Sequence, residues 1–221
     1  KKVKSQIFSR FLPKIMVAGT FRSGTNLASH LLSEHYRVVP VFNEWFWKHG
    51  VPPTCIKSPL PHNVPVVVMT KSPFDLNISL YRFWQSERPE LYLGEHISEF
   101  IRNPFLVYDN SLNNTPKYIF QNPTQYWNQF YFSWLNWTAV QRRIAFLKCE
   151  DMMINPEESI SRIAMILRLK RNSSSDIKLP DRRIGPTPSK EIQLQKITLS
   201  DDDKRFIESQ IDKKIACELY Y

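Results

Sequence analysis

Two short apolar runs, Lys14-Ile-Met-Val-Ala18 and Val64-Pro-Val-Val-Val-Met-Thr70, restrict the folds open to this chain more than any other feature. Both are continuously apolar rather than alternating, as expected of strands buried on both faces of a parallel sheet. Each ends in a polar turn that leads into a helical pattern. After the first come Gly19 to Gly24 and a helix from Thr25 to about His35, with Leu27, Leu31 and Leu32 on one face. After the second come Lys71-Ser-Pro73, with Pro73 suited to the first helical position, and a helix from about Phe74 to Gln85. Strand, turn and helix repeated in this order specify an α/β fold. The expectation is a three-layer sandwich with a central, mostly parallel sheet and a phosphate-binding loop after the first strand.

The other segments fit that plan. Arg37 to Val41 and Ile144 to Lys148 read as further strands, and Thr54 to Lys57 as a short one. Thr124 to Trp137 reads as an aromatic helix with Thr124 as its cap. Asn155 opens a helix with Ile160, Ile163, Ile166 and Leu167 on a core face, and a last helix runs from near Ser200 to near Cys217. Residues 86–123 hold one helical stretch, Glu95 to Asn103, and read as a variable insertion or lid. Residues 170–190 read as a basic loop. The 221 residues suit one domain over the whole length.

A net charge of +9 suits an anionic ligand, a nucleic acid or an acidic membrane surface. Cys55, Cys149 and Cys217 form no C-x-x-C pair, so neither zinc nor a disulfide framework is expected. No run approaches the roughly 20 apolar residues of a membrane span. Asn-x-Ser/Thr triplets occur at Asn77, Asn113, Asn136 and Asn172. They read as chance matches, since Asn77 lies in the helix after Lys71. The expected compartment is the cytoplasm, the alternative being the lumenal domain of a membrane-anchored enzyme.

Gly19 and Gly24 have the spacing of the nucleotide-triphosphate loop, Gly-x4-Gly-Lys-Ser/Thr. The lysine position holds Thr25 and the next holds Asn26, so the usual phosphate lysine and magnesium hydroxyl are missing. The cation is Arg22, inside the loop. In such folds ligands bind where strands end, which places Gly19–Asn26, Glu44 and Lys71 on one rim. Lys71 ends a strand and Ser79 lies about two turns into the next helix, a spacing that can aim both at one phosphate.

Together these segments resemble the sulfotransferases that use 3′-phosphoadenosine 5′-phosphosulfate. Thr20-Phe-Arg-Ser-Gly-Thr-Asn26 looks like their 5′-phosphosulfate loop in its Arg-Ser-Gly-Thr form, closer to the membrane-type and bacterial branch than to the cytosolic one. Lys71-Ser-Pro-Phe-Asp-Leu-Asn-Ile-Ser79 looks like the 3′-phosphate motif Arg-Asn-Pro-x-Asp-x-x-x-Ser. Lys148-Cys-Glu-Asp-Met-Met-Ile-Asn-Pro156 looks like their Tyr-Glu-Asp-Leu-x-x-Asp-Pro segment. The likeness runs from about residue 14 to 170. It implies a donor site made of Thr20, Phe21, Arg22, Ser23, Gly24, Thr25, Asn26, Lys71 and Ser79, with Arg182 and Arg183 approximating the basic C-terminal segment. It also implies adenosine 3′,5′-bisphosphate as product and no metal.

The chain departs from the family in two places. Lys71 replaces an arginine and loses its two-pronged fork. Ile56-Lys-Ser-Pro-Leu-Pro61 resembles the Lys-Thr-His-Leu-Pro segment of cytosolic members, but their catalytic histidine falls on Pro59. The acceptor must still lose a proton. Glu44, 22 residues after Arg22 and among aromatics that would raise its pKa, is the first candidate base, with Lys57 and His62 as fallbacks. Arg22 is suited to the charge that develops on the leaving phosphate. The expected reaction is sulfuryl transfer to a hydroxyl or amine of a small-molecule or glycan acceptor, with nucleic acid not expected as a partner. The alternatives are a P-loop-type nucleotide kinase and a non-catalytic basic binding module.

Overall fold

The computed structural model describes residues 12–45, 47–51, 61, 63–87, 94–107, 118–138, 143–172, 174–181, 184 and 197–221. The strands are β1 (Lys14–Gly19), β2 (Val39–Val41), β3 (Val66–Thr70), β4 (Phe105–Val107), β5 (Tyr118–Phe120) and β6 (Ile144–Lys148). The helices are α1 (Thr25–His35), α2 (Pro73–Glu87), α3 (Ile97–Phe100), α4 (Pro123–Trp137), α5 (Cys149–Ile154), α6 (Pro156–Ile166), α7 (Asp201–Gln210) and α8 (Lys213–Glu218).

Four strands form one parallel sheet in the order β2-β1-β3-β6, with Ala18 beside Val68 and Val68 beside Phe146. Side chains alternate across it with the two-residue period of a strand. Met16, Ala18, Val66 and Val68 face a core shared with Leu76 and Leu80 of α2, Trp127, Phe130 and Trp134 of α4, Ile207 and Ile215. Ile15, Val17, Val67, Met69 and Leu147 face the opposite core, with Ala28, Leu31 and Leu32 of α1 and Ile160 and Ile163 of α6. The result is the expected α/β sandwich with helices on both faces. It also explains why β1 and β3 read as unbroken apolar runs: every side chain from Val66 to Thr70 is buried.

Several boundaries move, each for a local reason. β2 starts at Val39, because the Arg37 N–H is taken by the Lys170 carbonyl at 2.8 Å. The cap of α4 is Asn122, whose side chain accepts the Gln125 N–H at 3.0 Å, with Pro123 opening the helix. Thr124 lies inside the first turn, where its hydroxyl accepts from Asn77 Nδ2 at 3.1 Å. The acidic turn after β6 is the helix α5. The final helix is two, because Asp212 accepts the Lys214 and Ile215 N–H groups and starts α8 afresh. Between residues 86 and 123 the structure contains α3 and an antiparallel pair, β4 with β5. The expected strand Thr54 to Lys57 lies outside the described residues.

Part of the basic loop is tied down: Tyr36 bridges Arg171, and Ile177 is buried, with its N–H donated to Glu157. Asn77 is fully buried and bonded to the Pro73 carbonyl, which leaves no room for a glycan. Among the described residues no helix is long and apolar enough to cross a membrane.

Candidate functional site

The C-terminal ends of β1 and β3 lie side by side, with Gly19 level with Met69. The chain leaves β1 at Gly19, where a Cβ would sit 2.3 Å from Ser23 Oγ and 2.9 Å from Met69 Cβ. Only glycine fits there. Ser23 folds back, donating from its hydroxyl (2.7 Å) and its N–H (3.3 Å) to the Thr20 carbonyl. Arg22 (φ 64°) and Gly24 (φ 85°) are both left-handed. A backbone of this kind turns successive N–H groups toward a concavity that suits an anion. The first helical bond of α1 runs from the Ala28 N–H to the Gly24 carbonyl. The N–H groups of Thr25, Asn26 and Leu27 therefore make no bond inside the helix, and Gly24 supplies no side-chain cap. This is the electropositive end of an 11-residue helix.

Two tyrosines of α4 hold the loop from below. Tyr126 OH lies 3.3 Å from the Phe21 N–H and donates to the His49 carbonyl at 2.8 Å. Tyr131 OH lies 3.3 Å from Thr20 Oγ1 and donates to the Met69 carbonyl at 2.9 Å. Burial pushes both phenols well above their ordinary pKa, so both remain donors.

Lys71 lies just past the end of β3, and the Trp127 indole N–H donates to its carbonyl at 2.8 Å. Its ammonium donates to Ser79 Oγ at 2.7 Å and to the Arg22 carbonyl at 3.3 Å. The sequence motif and the loop thus meet in one corner. Burial lowers the Lys71 pKa; Cys149, Asp75 and Glu150 act against that, and the Arg22 guanidinium acts with it. Lys71 and Arg22 come from different elements and are near enough for the charge of one to act on the other. The Arg22 guanidinium lies 5.2 Å from the centre of the Phe83 ring. Glu150, in the third motif, is structural: it accepts from the Ser72 N–H (2.8 Å) and from Tyr221 OH (3.1 Å), bracing the end of β3.

The segment after β2 separates residues that the sequence puts close together. Glu44 is exposed and ion-paired with Lys14, the first residue of β1. The loop begins at Gly19, the last residue of that strand. The described partner of the Glu44 carboxylate is Lys14 rather than a residue of the loop. The chain then returns. The Gly19 N–H donates to the Lys48 carbonyl at 3.0 Å, and the Lys48 ammonium donates to Asn26 Oδ1 at 2.7 Å while lying over the Phe42 ring. His49 Nδ1 is 2.7 Å from the Gly19 carbonyl. Lys57, His62, Arg182 and Arg183 lie outside the described residues.

Lys48, His49, Tyr126 and Tyr131 were not legible as site residues. Lys48-His-Gly50 has no motif spacing, and the tyrosines sit in a helix whose aromatic stripe reads as core. The one usable signal is that the two phenols are polar tips on a buried face, which must find partners. Among the described residues no cluster of His, Cys, Asp or Glu could hold a metal ion.

No family profile matches the chain, and no curated protein matches it in sequence. Among solved structures it is similar to mouse sulfotransferase SULT7A1 in complex with PAP, with a TM-score of 0.53 and 13% sequence identity. The match covers 98% of this chain and 92% of that one. The fold is that of a sulfotransferase. At this identity the likeness speaks for architecture over the whole length and selects no branch of the family.

Proposed function

We propose that this chain is a sulfotransferase that binds 3′-phosphoadenosine 5′-phosphosulfate and passes its sulfuryl group to a hydroxyl or amine of a small-molecule or glycan acceptor. One observation carries the reading: the Lys71 ammonium is bonded both to Ser79 Oγ and to the Arg22 carbonyl. A second anion site therefore adjoins the N-terminus of α1. A triphosphate needs no such second site, whereas a nucleotide with a 3′-phosphate does.

The residues present fit this donor. The N–H groups at the start of α1, with Thr25, Asn26 and Arg22, would hold the 5′-phosphosulfate, and Lys71 and Ser79 the 3′-phosphate. The donor, when bound, supplies an activated sulfuryl group. Arg22 and the helix N-terminus then stabilise the charge that collects on the leaving phosphate. The missing Walker lysine and magnesium hydroxyl weigh against nucleotide kinase chemistry, and the scaffold's likeness to a sulfotransferase crystallised with PAP supports the donor assignment.

Calorimetric titration separates the readings. Adenosine 3′,5′-bisphosphate is expected to bind in EDTA, and ATP with magnesium at least tenfold more weakly. Preferential, magnesium-dependent ATP binding would overturn the proposal. Binding of random oligonucleotides alone, lost steeply with salt, would point to a basic binding module instead.

A further inference from the structure

We propose that Tyr221 is a positioning residue of the donor site, one that readies Lys71 for a 3′-phosphate by pinning the chain on either side of it. This role rests on the sulfotransferase reading and concerns how the second anion site keeps its shape.

Thr70, Lys71 and Ser72 carry the chain from β3 toward α2, and each is held from a different element. The Thr70 hydroxyl lies 3.1 Å from Tyr221 OH. The Lys71 carbonyl accepts from the Trp127 indole N–H of α4 at 2.8 Å. The Ser72 N–H donates to Glu150 Oε1 of α5 at 2.8 Å, and the Tyr221 hydroxyl donates to the other oxygen of that carboxylate at 3.1 Å. The carboxylate only accepts, so it takes the single phenol proton, and the bond between Thr70 and Tyr221 is then donated by the threonine. One chain of bonds therefore runs from Thr70 through Tyr221 and Glu150 to Ser72 and closes around the backbone of Lys71. The rings of Tyr221 and Trp127 meet edge to face, with centroids 6.3 Å apart, which joins the third hold to the other two.

Tyr221 is itself aimed. After α8 the chain turns at Tyr220, whose φ is 62°. The Tyr220 N–H donates to the Cys217 carbonyl at 3.1 Å and the Tyr221 N–H to the Ala216 carbonyl at 2.9 Å, so the turn is tied to the end of the helix. The Tyr220 carbonyl accepts from the Lys148 ammonium, which also lies 4.4 Å from the centre of the Tyr221 ring. Lys148 ends β6 level with Thr70. A ring that served only to fill space would be buried, yet Tyr221 is 36% exposed. What it brings to this corner is a hydroxyl at a set place. Without that hydroxyl, Thr70 and one oxygen of Glu150 lose their bond to each other's side of the turn. The charge of Glu150 is near enough to act on Lys71. A carboxylate released on one side can turn toward the ammonium and compete with a 3′-phosphate for it.

The test uses the full chain and Tyr221→Phe, which keeps the ring and removes the hydroxyl. Titration calorimetry in EDTA with adenosine 3′,5′-bisphosphate and with adenosine 5′-phosphate separates the second anion site from the first. In Tyr221→Phe the bisphosphate is expected to bind about 5- to 10-fold more weakly, the loss of one hydrogen bond. The monophosphate should bind within about twofold of the parent, so the ratio of the two affinities falls. A hydroxyl that only supports the fold would weaken both nucleotides alike or neither, and either result would overturn the proposal. Thr70→Val breaks the same chain of bonds at its other end and guards against a failure of Tyr221→Phe to fold. It should lower the ratio in the same direction, and an unchanged ratio there would equally overturn the role of Tyr221. A parent chain that binds the two nucleotides with equal strength would show instead that Lys71 and Ser79 form no second anion site, and the donor reading would fall together with the role of Tyr221.

Discussion

Lys71 is the side chain on which the proposed donor site turns, and its protonation makes the site testable. Burial holds its pKa below the ordinary lysine value, with Arg22 pushing the same way. A phosphate bound there favours the ammonium and raises that pKa. Between the lowered free value and the raised bound value, binding takes up a proton, so affinity falls as pH rises through this window. Titration of adenosine 3′,5′-bisphosphate from pH 7 to 10 should show the decline beginning below the usual lysine range. Lys71→Arg, which stays charged throughout, should flatten it. Lys71→Met should weaken binding by roughly 10- to 100-fold at pH 7, the loss of one charge-assisted bond of about 1.5–3 kcal/mol. Glu44 supplies the contrast. Paired with Lys14 on the surface, it should tolerate Glu44→Gln with turnover within about twofold and stability within ~1 kcal/mol. A collapse of turnover in that variant would show that the carboxylate reaches the reacting atoms after all.

At the scale of elements, the loop between β1 and α1 depends on Gly24. Its φ of 85° disfavours any side chain, and a Cβ there would lie 3.0 Å from Cys149 Sγ and 3.3 Å from Met152 Cε. Gly24→Ala should cost about 1–2 kcal/mol from the left-handed backbone alone. Denaturant unfolding measures that cost, and weaker bisphosphate binding should accompany it. The helix α7 makes a second case. Its Ser200 and Asp203 form a reciprocal capping box, and Asp203 also receives Arg102 Nη1 at 2.6 Å and Ser98 Oγ at 2.8 Å. Burial works to raise the Asp203 carboxyl, while bonds from Arg102, Ser200 and Ser98 outweigh it and hold it below the usual carboxylate range. Its contribution to stability is therefore complete above about pH 4, the unfolded value, and is lost as pH falls through the lower folded value. Asp203→Asn should remove that part of the acid-unfolding curve. The acids that open α7 could be read from the sequence as a helix start. Their partner could not, because Arg102 is 101 residues away from Asp203 and no local pattern announces a contact between them.

Over the whole molecule, the legible parts are those specified by short-range rules. Unbroken apolar strands, glycine turns and helix starts yielded the parallel sheet and the rim where Lys71 meets the loop. What escaped depended on return paths: the course that takes Glu44 back to Lys14 and then brings Lys48 and His49 up to Gly19, and the α4 tyrosines that reach through the core to the loop. This distribution leads to a final expectation. The loop hangs from β1, β3 and α4 together, through Gly19, Met69, Tyr126 and Tyr131. A ligand that closes on the loop and Lys71 ties those elements to one another, so it should protect the molecule as a unit. At 100 times its dissociation constant, adenosine 3′,5′-bisphosphate should add about 2.7 kcal/mol to the unfolding free energy. For a chain of this size that is a rise in Tm of roughly 5–10 °C. The rise should be insensitive to EDTA, smaller for adenosine 5′-phosphate, which leaves Lys71 and Ser79 without a partner anion, and nearly absent in Lys71→Met. A full shift with adenosine 5′-phosphate, measured by scanning calorimetry, would mean that the second anion site adds nothing and that the donor assignment is wrong.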